Sequence, residues 1–214
     1  MASARVSDSF TLPGLALDLV PHYLRPGRSG PPGASGVVLT LIADEDRFNI
    51  EARRGSAAQL LASLANSFGA APVNGPKTIA AGGFDFVGVG PSRWHAISRG
   101  DGRAERRAAL AAAALESATV LDVSHGFVTF QLSGRSVVEA LAKLAPIDLG
   151  EQGFAPGACA MTQIHGMSVQ LRRRLDGGFY ECAVPRSFAG SLYHALTDAA
   201  LRFGLTVEPA QAVI

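Results

Sequence analysis

Residues 120–130 read VLDVSHGFVTF and run on as QLSG to Gly134. The segment places Asp122, Ser124 and His125, the three residue types of a hydrolase triad, almost side by side. Along an extended strand successive side chains alternate faces, so Leu121, Val123 and His125 are expected on one side and Asp122 and Ser124 on the other. Base-assisted attack needs the serine oxygen within ~3 Å of the imidazole, which that alternation denies. No G-x-S-x-G nucleophile elbow occurs in the chain either. The stretch therefore reads as a structural strand entry, with His125 as a hydrogen-bonded core histidine on an apolar face.

The downstream residues fit a strand and then a helix. In FVTFQLSG, Phe127, Thr129 and Gln131 alternate with Val128, Phe130 and Leu132, and Gly134 then leads into the helical RSVVEALAKLA with Val137, Val138, Leu141, Leu144 and Ala145 inward. A Pro/Gly loop precedes the strands ACAMTQI and MSVQLRRR, and Asp176-Gly177 marks a hairpin turn before FYECAVP. The long helix RSFAGSLYHALTDAALRFG carries the stripe Phe188, Leu192, Leu196, Ala199 and Phe203, with Gly204 as its cap.

Upstream the same order recurs. VVLTLI is β-rich, ADED is a turn, and RFNIEAR alternates Phe48, Ile50 and Ala52 against Asn49, Glu51 and Arg53, a half-buried strand. After Gly55 a helix places Leu60, Leu61, Leu64 and Phe68 on one face, and Gly69 stops it. FDFVGV, GPSRWHAIS and the helix RAERRAALAAAALESA complete the half. The fold class expected is α+β, two related β-α-β-β-α halves on one core. The domain spans 37–206, its halves 37–118 and 119–206. Residues 1–36, rich in Pro, Gly and Ser, form an extended arm whose apolar part, LPGLALDLVPHYL, lies on this domain or on a partner; 207–214 form a tail. GPSRW at 90–94 and VPRSF at 184–188 echo each other as strand-to-helix turns.

Charged residues are 17% of the chain and apolar residues 48%. So little charge fits either a surface partly hidden against another subunit or an alanine-rich enzyme domain. A net charge of +1 supplies no field to attract nucleic acid or an anionic membrane. Two cysteines, no apolar run of membrane-spanning length and no signal core predict a cytoplasmic protein in a reducing compartment. GVGPSRW lacks the third glycine and the later acidic residue of a dinucleotide site, so Gly88 and Gly90 read as turn glycines. His22, His95, His125, His165 and His194 show no metal-ligand spacing, and His165, before a glycine, reads as a turn residue.

The motifs DVSHG, LAK…PIDL, F-x-PG-x-CA-x-T and VPRSF, in this order over residues 119–204, resemble the gamma subunit family of heterotetrameric sarcosine oxidase. FDFVGVGPSRWHAIS is similar to that family's Gly-Pro-x-x-Trp segment. The wider resemblance is to the folate-binding-type fold of the glycine-cleavage T-protein. It implies a structural subunit without a cofactor of its own. FAD, FMN, NAD, tetrahydrofolate and zinc would then belong to alpha, beta and delta-type partners that oxidatively demethylate an N-methyl amino acid such as sarcosine. The alternative is a free-standing folate-binding protein of the T-protein type, for one-carbon transfer or assembly.

T-protein relatives place an acidic residue after the second-half strand, and here residues 164–174, IHGMSVQLRRR, hold no carboxylate. A methylene donor needs an anion to steady its iminium charge, so no catalytic residue is expected on this chain. Arg172 is expected to face Glu181 across the hairpin, and Arg172 and Arg174 to share a surface with Gln170. That surface is a salt-bridged sheet edge, or a contact for a partner's acidic patch or a folate tail. Arg173, on the opposite face, needs an acidic partner for its head. Arg103, Arg106 and Arg107 start a helix whose dipole disfavours cations, with Asp101 and Glu105 as offsets. Trp94 and Phe188 either anchor a neighbouring subunit or staple their elements to the core. The candidate subunit contacts are thus Trp94, Arg172, Arg174 and Phe188.

Overall fold

Two long segments, 37–52 and 118–133, run antiparallel beside each other and pass from one sheet into a second. In the computed structural model, which describes residues 24–43 and 45–212, the first segment is β2 (Val37–Ala43) then β3 (Glu45–Ala52). The second is β7 (Ala118–Asp122), a 3-10 turn (Ser124–Gly126) and β8 (Phe127–Ser133). β2 pairs with β8, from Val38↔Ser133 to Ile42↔Thr129, and β3 pairs with β7, from Phe48↔Asp122 to Ala52↔Ala118. The passage between sheets lies where the sequence suggested a turn (ADED) and a continuous strand (DVSHG).

Each sheet is completed by a hairpin set from its own half. The order β4 (Thr78–Ala81), β5 (Phe84–Gly90), β6 (Arg93–Arg99), β3, β7 makes the five-stranded sheet. The larger sheet repeats it strand for strand as β9 (Cys159–Ile164), β10 (Met167–Arg173), β11 (Tyr180–Pro185), β8, β2. Beyond β2 lie β12 (Leu205–Val207), parallel to it, and β1 (Gly27–Ser29), while β13 (Gln211–Ala212) also pairs with β2. The halves exchange their first strands: β7, expected with the second half, is in the first sheet, and β2 is in the second. Most of LPGLALDLVPHYL lies outside the described residues.

Helices cover the outer faces. α1 (Ala57–Phe68) and α2 (Arg103–Ala114) bury Leu60, Leu64 and Leu110 against Phe48, Ile50, Phe84, Phe86 and Trp94. α3 (Val137–Ala142) and α4 (Ala189–Ala200) bury Leu141, Leu192 and Leu196 against Leu39, Phe130, Leu132, Val169 and Val184. The 3.6 and 2.0 periodicities of the sequence thus give a four-layer α/β/β/α arrangement whose two apolar cores lie outside the sheets. Gly134 makes one turn possible: at φ 110° a Cβ would sit 2.4 Å from the Gly36 carbonyl oxygen.

Two expectations about turns change. GPSRW is the hairpin between β5 and β6, with Ser92 at φ 56°, so its echo with VPRSF, a strand-to-helix turn, joins positions that are not equivalent in the fold. His165-Gly166, both at positive φ, is the β9–β10 turn, as its sequence implied.

Candidate functional site

Strand alternation that turns Phe48, Phe86, Trp94, Phe130 and Leu171 outward to the helices must turn their neighbours inward, between the sheets. Most of those neighbours are polar, although Val87, Ile97 and Cys159 form a small apolar cluster among them. Arg47, His95, Arg99, Asp85, Thr129, Gln170, Arg172 and Glu181 meet there, joined by Glu45 at the start of β3. Three arginines face three carboxylates. Arg172 bonds Glu181 (Nε–Oε2 2.7 Å) and Asp85 (Nη1–Oδ2 2.9 Å). Arg99 bridges Glu45 at 2.8 Å and Glu181 at 2.9 Å, and Arg47 reaches Glu45 at 2.6 Å. Arg47 also donates to Gln170 and contacts His95 Nδ1 at 2.9 Å, with its guanidinium 5.0 Å from the Phe127 ring centre.

Burial raises the proton affinity of a carboxylate, but the guanidinium charges outweigh it here. Glu45, desolvated yet ringed by Arg47, Arg99 and Arg172, is held at about 2. Glu181 is likewise lowered, burial being overcome by Arg172 and Arg99. His95 is pushed down to about 4 by burial and then by Arg47, so it is a neutral imidazole. Burial raises the thiols of Cys159 and Cys182 to about 11 and 12, which makes both inert thiols.

Arg172 therefore does not form an outer surface with Gln170 and Arg174. The register Arg172↔Glu181 is as the sequence implied, but the second sheet covers this face, leaving Arg172 1% exposed. It has no surface left for a partner. Arg174, half-buried, keeps surface and pairs with Asp176 at 3.1 Å. Arg173 does find an acidic partner, Glu151 at 2.7 Å. Trp94 is fully buried and donates to the Val73 carbonyl at 2.8 Å, so it is a core staple and not a subunit anchor. Phe188 is 44% exposed.

At the passage between sheets a cleft of about 350 Å³ opens, lined by Leu41, Ile42, Asp46, Arg103, Ser124, His125, Phe127, Val128 and Arg186 among others. Of the would-be triad, Ser124 and His125 line it. The Ser124 hydroxyl bonds the Asp122 carboxylate at 2.7 Å and accepts from the Arg47 amide at 2.9 Å. His125 is exposed, not a core histidine, because the 3-10 turn interrupts the strand and swings it outward; the core histidine is His95. Arg103 and Arg106 spend their charge on Asp46 (3.2 and 3.1 Å), and Arg103 also on Asp122 (2.9 Å). Cations at a helix start thus marked an internal contact, with carboxylate partners on β3 and β7, while Arg106 also donates to the backbone carbonyl of Asp101.

Sequence reasoning missed Glu45, Arg47 and Asp85. Their signal, polar residues alternating with large apolar ones, is the same for a solvated face and for one covered by a second polar sheet. Among the described residues no three of His, Cys, Asp and Glu gather as a metal site would require, and no helix is long and apolar enough to cross a membrane. Tetrahydrofolate, which the fold type implies, does not suit the space between the sheets: Glu45, Glu181 and Asp85 are each engaged by arginine, and none is free to steady an iminium.

The family of the sarcosine oxidase gamma subunit matches residues 54–202. A chain of heterotetrameric sarcosine oxidase from Corynebacterium sp. U-96, solved with pyrrole 2-carboxylate, superposes with a TM-score of 0.70 at 24% identity, covering 82% of this chain and 88% of that one. The glycine cleavage system aminomethyltransferase T from Bartonella henselae superposes with a TM-score of 0.63 at 14% identity; 90% of this chain matches 57% of that protein. The fold is therefore the T-protein, folate-binding type. No curated protein matches the chain in sequence. With the family matched over most of the domain, the chain belongs to the sarcosine oxidase gamma subunit family.

Proposed function

We propose that this chain is a non-catalytic, gamma-type structural subunit of a heterotetrameric complex that oxidatively demethylates an N-methyl amino acid such as sarcosine. FAD, FMN, NAD, tetrahydrofolate and zinc belong, in this reading, to the alpha, beta and delta-type partners. The observation that carries it is the interior between the sheets. Three arginines and three carboxylates there neutralise one another, so no carboxylate is left over as base or iminium partner. Phe188 and Arg174 keep surface and are the contacts assigned to partners.

The test is co-expression with the other subunits. The complex should copurify with this chain, and the chain alone should show neither sarcosine turnover nor bound flavin. A purified chain that turns over a methylated amine, or is yellow, overturns the reading. Titration with tetrahydrofolate separates the free-standing alternative: micromolar quenching by the isolated chain, weakened by Arg174→Ala, would favour it.

A further inference from the structure

The strand-for-strand equivalence of the two sheets breaks at one place. β2 and β7 hold matching positions at the ends of their sets, yet β2 is followed by β12 in parallel register, Val37↔Leu205 to Leu39↔Val207, with β1 beyond. β7 has no such neighbour among the described residues and is the edge of its sheet. Edge strands normally carry a lysine, a proline or a bulge that discourages pairing. β7, Ala-Thr-Val-Leu-Asp, has none of these, and its single charge, Asp122, is tied to Arg103 and Ser124.

Around it the exposed charges are Glu116, just before the strand, and Glu51, opposite Thr119 on β3, and two leucines stand beside them. Leu115 and Leu121, 73% and 58% exposed, are the most exposed large apolar side chains among the described residues, and they flank this edge. The backbone polarity follows from the ladder. Val123 N–H donates to Arg47 and Arg53 N–H donates to Ser117, so the odd-numbered residues of β7 bond β3. Ala118, Val120 and Asp122 then turn their N–H and C=O outward.

We propose that this edge is completed by an extended strand of a partner subunit, added parallel to β7 as β12 is added to β2, with apolar side chains against Leu121 and Leu115. The outward N–H and C=O groups of Ala118, Val120 and Asp122 fit an extended strand, and the chain's own second half shows the parallel geometry. The proposal rests on the reading of this chain as a subunit.

Hydrogen–deuterium exchange at the outward amides of Ala118, Val120 and Asp122 tests it, in the isolated full chain and in the copurified complex. Fast exchange in the chain and at least tenfold slower exchange in the complex is expected. Leu121→Lys and Val120→Pro should each reduce recovery of the partner subunits at least tenfold while the chain keeps its melting temperature within a few degrees. Fast exchange in both states overturns the edge assignment and leaves the subunit reading standing. Slow exchange in the isolated chain also overturns it, assigning the edge to a second copy if concentration-dependent and to the chain's own residues if not. Absence of any complex removes both readings together.

Discussion

Arg172 and Glu181 face each other across the β10–β11 hairpin with Nη2 and Oε2 2.6 Å apart, each about 1% exposed. Removing one member of such a pair strands the other in a low-dielectric space, at roughly 3–5 kcal/mol. Arg172→Met is expected to lower stability to urea by about that amount. The double variant Arg172→Met, Glu181→Leu should recover much of the loss, since an apolar pair of similar volume leaves neither Arg172 nor Glu181 behind without its partner, and Arg99 keeps Glu45. Equal losses in the single and double variants would mean that Asp85 and Glu45 depend on Arg172 as much as Glu181 does.

Gly88 is required by contact. A Cβ there would lie 1.9 Å from the Gly75 carbonyl oxygen, in the strap whose residues also bond β9 (Cys159 N–H to Pro76, 3.2 Å). Backbone cannot retreat as a side-chain tip can, so Gly88→Ala is expected to cost several kcal/mol, about 3 or more, or to abolish soluble expression. Gly126→Ala, with nothing within 4 Å of the added carbon, is the matched control and should change thermal stability by about 1 kcal/mol or less.

Much of this architecture was legible in the sequence because burial on one face is a local property. Leu60 and Leu64, Phe130 and Leu132, Leu192 and Leu196 lie where their spacing put them. The opposite faces were not legible. Gln170, Arg172 and Arg47 alternate with apolar residues as exposed residues do, and only the approach of the other sheet, set by long-range pairing, decides that they are buried. Trp94 and Phe188 had the same two readings, and the structure separates them: one covered, one open. The break at Ser124–Gly126 was hidden because a 3-10 turn between two strands leaves the alternation on either side intact.

The buried network makes stability pH-dependent, and the sign is set by which state binds more protons. His95 titrates at about 4 when folded against an ordinary 6.5, so the unfolded chain takes up its proton first. Its contribution is full above pH 6.5 and is lost as pH falls toward 4, in total on the order of 3 kcal/mol. Glu45, held at about 2 against 4.5, adds stability above pH 4.5 that is lost as pH falls toward 2. Melting temperature is therefore expected to fall in two stages, the first beginning near pH 6.5. His95→Gln should remove the first stage and keep the second; a profile flat down to pH 5 in the unaltered chain would contradict the burial of a neutral His95.

Ser124 holds the passage between sheets by bonding Asp122 and the Arg47 amide. Ser124→Ala leaves that buried amide without its acceptor, at about 1–3 kcal/mol. In the assembled complex the turnover of an N-methyl amino acid should be unchanged once protein concentration is corrected for folding. A hundredfold loss of turnover with intact assembly would instead make Ser124 a reacting group.

Phe188 and Trp94 predict opposite phenotypes. Trp94, fully buried and bonded to the Val73 carbonyl, should cost roughly 3–5 kcal/mol as Trp94→Ala and unfold the chain before it affects assembly. Phe188, at the turn into α4 with 44% of its surface open, loses little burial as Phe188→Ala, so the isolated chain should melt within a few degrees of the parent. If Phe188 seats against a partner subunit, the same truncation removes a desolvated aromatic contact worth about 2 kcal/mol, a roughly thirtyfold weaker association. Sedimentation of the complex at submicromolar concentration reads that shift directly; unchanged association of Phe188→Ala removes this residue from the interface.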